Sequence, residues 1–188
     1  MIRVEEVRNG RENYYIMTDD QITGAEPTVI HYRTVWTTLK RGENQIPYLL
    51  FYNTCWEPDP EVCFFLNHQR GEKSVNTILR DAQAMKLLLT FRDIIGLDIW
   101  NFTVEDISSL KDFLSGSRLM GRRLQFIGLT QRNHKTVNGC LAIYRAYLKC
   151  MKKTDCALFE EKDCRFIPSA NDSVYKIPSI TYRQQFCL

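Results

Sequence analysis

The sequence predicts an α+β protein in which a small strand-rich N-terminal module precedes a mainly α-helical bundle of about four helices. In residues 1–55, β-branched and aromatic residues dominate and no helical period occurs. From residue 74 onwards, apolar residues recur at steps of three and four, the period of a helix that buries one face. We therefore expect a strand-rich module over 1–55, a helical domain over 56–153, and an extended tail or linker over 154–188.

Within the N-terminal module, two short segments have the composition of strands. Residues 14–17 and 28–32 are rich in aromatic and β-branched side chains. Residues 35–39 are expected to extend the second strand, and 47–52 is an apolar stretch whose type the sequence leaves undetermined. No motif in this module indicates a function.

The first two helices follow from proline, cap and periodicity signals. Pro58 and Pro60 disfavour helix before them but are accepted in a first turn, so a short helix is predicted over 60–67. A longer helix is predicted over 74–95, with Gly96 as its terminator. Its apolar stripe comprises Ile78, Ala82, Met85, Leu88, Leu89 and Phe91.

Two further helices are predicted on either side of a basic segment. The first opens at Thr103, with acids in its first turn, and ends near Gly116. The second opens at Lys135. Between them, 117–132 is either a broken helix or a basic loop, because it combines glycines and arginines without a clear period. The apolar stripe of the second helix comprises Val137, Leu141, Tyr144, Leu148 and Met151.

The two longest helices open with the same four-residue pattern, Lys-Ser/Thr-Val-Asn, at 73–76 and 135–138. The pattern places Ser74 and Thr136 at predicted N-caps, each preceded by a lysine. Helix N-termini with such neighbours bind anions. Capping alone also explains the hydroxyl residues, because they are favoured at this position in any protein.

The net charge of +3 hides an uneven distribution along the chain. Residues 68–153 contain fifteen Lys and Arg against seven Asp and Glu, a net charge of +8, whereas the rest of the chain carries −5. Between 113 and 153 there are nine basic residues and no acidic one. Such a surface attracts polyanions, so the charge pattern favours nucleic-acid binding.

Several other classes of protein fit the sequence poorly. No segment approaches about 18 uninterrupted apolar residues, so we expect no membrane partner. The seven cysteines form no C-x-x-C pair, which predicts reduced thiols, no metal site and no cofactor. Charges near the N-terminus replace the apolar stretch of a signal peptide, so we expect a cytoplasmic location, with nucleoid association if the source is bacterial.

Four features of the helical half recur together in a known family. A short helix over 60–67 precedes a polar Arg-Gly-Glu-Lys-Ser connection, and a helix containing Thr-Ile-Leu-Arg follows at 77–80. A Thr-x-x-Asp helix then opens at Thr103, and a Thr-Val-Asn-x-x-Leu helix opens at Thr136 after a basic connection. In this order they resemble the core-binding, SAM-like domain of the tyrosine recombinases, the phage-integrase family of mobile elements.

The resemblance implies a helical bundle that covers one face of duplex DNA while a separate catalytic domain covers the other. In that family the openings of the first and last long helices approach phosphates and the major groove, and further recombinase protomers are partners on the DNA. The resemblance and the charge pattern together assign DNA binding to Lys73, Ser74, Asn76, Thr77, Arg80, Arg118, Arg122, Arg123, Arg132, His134, Lys135, Thr136, Asn138, Arg145 and Lys149.

The chain is not expected to be an enzyme by itself. The family cleaves DNA with an arginine, a lysine, a His-x-x-Arg pattern, a further His or Trp and a nucleophilic tyrosine. No His-x-x-Arg occurs here, and Tyr182 has only Arg183 beside it, which cannot activate a nucleophile alone. We therefore predict sequence-directed DNA binding, in integration and recombination, without strand cleavage.

The alternative prediction is a helical protein-interaction adaptor. Its apolar stripes and aromatic residues would dock a partner protein, and its basic face would only keep the chain soluble. Tyr144 and Tyr147 could stack on DNA bases, but Tyr144 lies on the apolar stripe and is expected in the core.

Overall fold

A computed structural model describes residues 2–10, 12–19, 26–41, 43–68, 73–116 and 124–152 of the chain. The expected tail over 154–188 lies outside these residues. The elements in chain order are β1 (Ile2–Asn9), β2 (Glu12–Asp19), β3 (Thr28–Ile30), β4 (Arg33–Arg41), β5 (Asn44–Tyr52), α1 (Pro60–Asn67), α2 (Val75–Ile95), a short 3-10 helix (Ile99–Asn101), α3 (Val104–Ser115), β6 (Leu124–Ile127) and α4 (His134–Lys152). The predicted α+β class, with a strand-rich N-terminal part and four α-helices, is confirmed.

The strands form two sheets. A four-stranded sheet has the order β3-β2-β1-β6, in which β1 pairs antiparallel with β2 and parallel with β6. The second sheet is the β4–β5 hairpin. The predicted strands at 14–17 and 28–32 correspond to β2 and β3, whereas β1 was not predicted.

Two expectations for the loops and strands are wrong. Residues 35–39 do not extend β3: they belong to β4, which pairs with β5 in the other sheet, because β5 offers a nine-residue antiparallel partner. Within the segment 117–132, expected to be a broken helix or a basic loop, residues 124–127 form β6 beside β1, and 117–123 lie outside the described residues. A parallel partner more than a hundred residues away in the chain leaves no local signature.

The helices begin and end at residues that satisfy their terminal backbone groups. Ser74 caps α2, accepting the Thr77 N–H at 3.2 Å, and Gly96 ends the helix in the left-handed conformation. Thr103 opens α3 with a reciprocal capping box to Asp106. The predicted apolar stripe of α2 is buried, and so is that of α4 except for half-buried Met151.

The start of α4 differs from the prediction. The helix begins at His134, and the Thr136 N–H donates to Asn133 Oδ1 at 2.9 Å. The Thr136 hydroxyl is 3.0 Å from the same Asn133 oxygen. Asn133 is therefore the cap, and Thr136 lies inside the first turn. The predicted cap at Thr136 is therefore wrong: the helix begins earlier, and asparagine ranks above threonine as a cap.

The sheets and the helices share one buried hydrophobic cluster. Phe113 of α3 packs against Tyr15 of β2 and Phe126 of β6, with ring centroids 5.7 and 5.5 Å apart. On another side, the Tyr32 hydroxyl, just before β4, donates to Asp93 of α2. The strand-rich N-terminal part and the helices therefore bury their apolar faces against each other rather than in two separate cores.

The close packing of Gly116 against the segment before α4 gives a stability prediction. Gly116 and Gly96 both have positive φ, at +75° and +67°. A Cβ on Gly116 would lie 2.8 Å from the Thr130 carbonyl oxygen and 2.9 Å from Gln131 Cα, whereas a Cβ on Gly96 meets no described atom within 4 Å. We expect Gly96→Ala to lower the free energy of unfolding by about 1 kcal/mol and Gly116→Ala by about 2 to 4 kcal/mol. Urea unfolding measures both, and equal losses would contradict the packing.

Candidate nucleic-acid interface

Helix α4 buries one face and presents a basic, carboxylate-free face on the other side. Val137, Leu141, Tyr144 and Leu148 are buried, and no Asp or Glu occurs anywhere in His134–Lys152. The opposite face carries a stripe at steps of four and three. Its members are Lys135, Gly139, Ala142, Ala146 and Lys149. Exposed Lys135 and half-buried Lys149 thus lie at the two ends of a run of small residues, and half-buried Arg145 lies at its flank.

The first turn of α4 is open to solvent. His134, Lys135 and Thr136 are exposed and Asn138 is half-buried. A groove of about 780 Å³ runs beside this turn and is lined by α3 and α4. Its lining includes Lys111, Ser115, Arg132, His134 and Asn138, with Asp112 as its only carboxylate among the described residues. The groove is thus predominantly basic and polar at the helix start.

Arg132, which the sequence assigned to DNA binding, is engaged inside the protein. Its side chain is only 12% exposed and lies 3.9 Å from the buried carboxylate of Glu6 in β1. It also donates to the backbone oxygens of Leu114 and Thr130, at 3.3 and 3.2 Å. The structure therefore places Arg132 inside the protein, where it contacts the segment leading into α4.

Glu6 is the centre of a buried polar cluster. One carboxylate oxygen accepts the Thr130 N–H at 2.6 Å, and the other accepts the Thr130 hydroxyl and the Asn13 amide, both at 2.8 Å. Burial and the Glu6 charge raise the pKa of the neighbouring Tyr15, so this phenol stays neutral. The cluster joins β1 and β2 to the residues just before α4.

The start of α2 also has one cation that pairs with a buried carboxylate and one cation that is exposed. Lys73 donates to Asp81 Oδ2 at 2.9 Å, and Asp81 is only 3% exposed, so the lysine compensates a buried charge. Arg80 lies 3.3 Å from the other Asp81 oxygen, but its own side chain is 70% exposed. Ser74 and Asn76 are exposed and Thr77 is half-buried.

One arginine near each of the two predicted helix openings acts electrostatically on the same side chain, Cys140 of α4. Burial raises the pKa of the Cys140 thiol, and the nearby Arg132 and Arg80 guanidinium groups act in the opposite direction. Arg80, from the start of α2, and Arg132, from just before α4, therefore lie within electrostatic range of the same thiol.

Other predicted residues fall outside this surface. Arg118, Arg122 and Arg123 lie outside the described residues. Tyr144 and Tyr147 are 0% and 2% exposed, and the Tyr147 hydroxyl donates to Glu61 at 3.2 Å, so neither ring is available for base stacking. Among the described residues there is no cluster of three metal-ligating side chains. None of the described helices combines the length and apolar character needed to cross a bilayer.

Two buried carboxylates, Asp81 and Glu6, were not predicted from the sequence. Asp81 lies three residues after Ile78 and four before Met85, on the predicted apolar face of α2, which is a detectable sign of a buried charge with a partner. Glu6 lies two residues after Val4 and therefore shares its buried face of β1, but that strand was not predicted. Neither sequence feature identifies the cation that pairs with the buried carboxylate, and only the tertiary structure does so.

Comparisons with protein-family models, curated proteins and solved structures find no match to this chain.

The Glu6 cluster gives a prediction with an adjacent control. Glu6→Ala leaves the Arg132 guanidinium without its buried carboxylate and the Thr130 N–H without an acceptor, so we expect a loss of about 3 kcal/mol in the free energy of unfolding. Glu5→Ala, at the exposed neighbouring position, should change it by no more than about 0.5 kcal/mol. Urea unfolding compares the two variants. Similar losses would show that Glu6 is not the central contact.

Proposed function

We propose that this chain binds duplex DNA as the core-binding part of a tyrosine-recombinase-like protein that acts in DNA integration and recombination. The observation that carries the proposal is the solvent face of α4, which bears cations along its length and no carboxylate. DNA binding gains most of its non-specific free energy from the release of counterions when cations approach phosphates. A helix face without a carboxylate suits that purpose because it contains no group that repels a phosphate.

The shape of α4 supports the same proposal. The major groove of B-DNA, about 12 Å wide, admits a single α-helix. Gly139, Ala142 and Ala146 occupy the middle of the exposed stripe, and small side chains allow the helix backbone to approach a partner closely. Asn138, near the start of this face, has the amide chemistry that forms paired hydrogen bonds with adenine.

We divide the predicted DNA-binding residues into two groups by their contacts within the protein. We assign phosphate contacts to Lys135, Arg145, Lys149 and Arg80, and contacts at the helix openings to Ser74, Asn76, Thr77, His134, Thr136 and Asn138. Lys73 and Arg132 are reassigned to positioning, because each compensates a buried carboxylate. Arg118, Arg122 and Arg123 remain in the proposal on their charge alone.

The proposal predicts a steep dependence of affinity on salt. For about four phosphate contacts, raising the salt concentration from about 50 to 200 mM should weaken binding about a hundredfold. Fluorescence anisotropy with a labelled duplex measures this for the full chain. Absence of binding at about 50 mM salt would rule the proposal out.

Charge reversal on α4 tests where the DNA lies. Lys135→Glu together with Arg145→Glu should abolish duplex binding at about 150 mM salt, since two attractive contacts become repulsive. Lys135→Ala alone should lower the slope of log affinity against log salt by about one. Lys40→Glu is the matched control for Lys135→Glu, because both lysines are exposed and the charge change is identical. An adaptor that docks a partner protein through its apolar stripes would tolerate the α4 changes, so equal DNA affinity in both variants favours that alternative.

A further inference from the structure

The C-terminal end of α1 lies beside the last turn of α4, and a histidine and a cysteine meet there. The Cys150 sulfur is 3.7 Å from His68 Nε2 and 4.0 Å from His68 Nδ1. Nε2 is thus the nearer of the two ring nitrogens, within reach of a hydrogen bond to sulfur. His68 is exposed and Cys150 is half-buried, so the pair is in contact with solvent. Neither residue belongs to the surface proposed to bind DNA.

Three contacts fix the orientation of the His68 ring. Its Nδ1 lies 2.7 Å from the Phe65 backbone oxygen. A carbonyl oxygen only accepts hydrogen bonds, so Nδ1 carries a proton and, in the neutral ring, Nε2 is the acceptor. The ring also stacks against Phe64 and Phe65, with centroids 5.5 and 5.9 Å apart. The nitrogen that can take a proton is therefore the one nearest to the Cys150 sulfur.

The position of His68 also favours a positive charge on its ring. It is the C-cap of α1, where the helix dipole is negative and the last carbonyl groups have no donor within the helix. The Phe65 oxygen is one of these carbonyl groups, so it stabilises a protonated ring as well as a neutral one. Cys150 lies in the last turn of α4, where the same dipole effect disfavours an isolated thiolate. A proton that leaves the thiol is therefore retained beside it, on His68, as a thiolate–imidazolium pair.

The charged groups on the neighbouring elements do not take the place of the thiolate. Glu61 of α1 accepts a hydrogen bond from Tyr147. Lys73, just before α2, pairs with a buried aspartate of that helix. Lys149 is basic, and α4 contains no carboxylate. In the described part of the chain, His68 thus has no carboxylate partner, and the sulfur of Cys150 is the group that an imidazolium would face.

We propose that Cys150 and His68 form a modification site at which small hydroperoxides oxidise the thiol. His68 takes the thiol proton, and the thiolate sulfur attacks the terminal oxygen of the hydroperoxide. An S–O bond forms and the O–O bond breaks, so the sulfur loses two electrons and becomes a sulfenic acid while the hydroperoxide is reduced. The leaving oxygen takes the proton from His68 and departs as water or an alcohol. The proposal does not depend on DNA binding by α4.

Two features favour a hydroperoxide over other thiol reagents. Its leaving group is an oxygen base, which needs the proton that His68 holds, whereas the thiolate that leaves a disulfide is stable without one. In addition, Cys150 is half-buried, which favours a reagent of a few atoms over a large disulfide.

Other cysteines of the chain serve as internal controls. Cys63 and Cys140 are buried, and burial raises the pKa of both thiols, so neither forms a thiolate readily. Cys55 is exposed, but among the described residues it has no contact with a histidine. A comparison of Cys150 with Cys55 therefore isolates the effect of the neighbouring imidazole.

The first test compares these cysteines in the full chain. Brief treatment with iodoacetamide, which reacts with thiolates, is followed by peptide mass spectrometry that measures each cysteine separately. At about pH 6.5, where about 1% of an ordinary exposed thiol is ionised, we expect Cys150 to react at least about tenfold faster than Cys55. The ratio should fall toward one near about pH 9, where ordinary thiols ionise as well. Cys63 and Cys140 should react most slowly.

A matched pair of histidine variants tests the role of His68. His68→Asn removes the base at an exposed position, and His134→Asn makes the same change at an exposed position in the first turn of α4. At about pH 6.5 we expect His68→Asn to slow the alkylation of Cys150 about tenfold or more and to leave Cys55 unchanged. His134→Asn should affect neither thiol. Circular dichroism checks that both variants fold, and the comparison of Cys150 with Cys55 needs no variant.

The second test detects the oxidised product. Hydrogen peroxide is added together with dimedone, which labels sulfenic acids, and the labelled peptides are measured by mass spectrometry. We expect dimedone on Cys150 of the unmodified chain and at most about a tenth as much in His68→Asn, because sulfenic acid formation requires the thiolate.

Three results would overturn the proposal. Equal alkylation of Cys150 and Cys55 at about pH 6.5, or equal alkylation of Cys150 with and without His68, would show that the histidine only packs against the helix end. Alkylation that follows the prediction without a dimedone adduct on Cys150 would exclude hydroperoxides as the reagent.

Discussion

The buried carboxylate of Glu6 is the contact on which the arrangement of this protein depends. It lies in the first strand, and it accepts hydrogen bonds from Thr130 and Asn13 and faces Arg132. A buried charge is tolerated only when it is paired and hydrogen-bonded, so these groups must assemble together or not at all. The chain segments involved are more than a hundred residues apart. Through them, the first strand fixes the point at which α4 begins.

The same constraint sorts the cations of the helical half into two groups. Lys73 and Arg132 face Asp81 and Glu6, and removing either would leave a carboxylate buried without its main charge partner. Lys135, by contrast, is exposed on a helix that has no carboxylate at all. Cations of the first group support the surface, and cations of the second group are the ones that a polyanion can meet. Net charge along the sequence cannot separate the two groups.

The hairpin of β4 and β5 is joined to the helical part of the chain through the backbone of β5. One edge is closed by Asn67, Cys63 and Asp59 from the adjoining helical segment, with Pro47 beyond them. Protein edges are usually blunted because they otherwise pair with other chains. The contacts from Asn67, Cys63 and Asp59 protect the edge of β5 in this way.

The sequence by itself determined the class of the fold and most of the helices, because these depend on local physics. The period of the apolar residues, the caps at Ser74 and Thr103, and the glycines at 96 and 116 each act within a few residues of chain. Only the tertiary structure decided that 124–127 is a strand beside β1, that β4 pairs with β5, and that Arg132 faces Glu6. These contacts join distant segments, and no local pattern encodes the partner of a strand or of a buried charge.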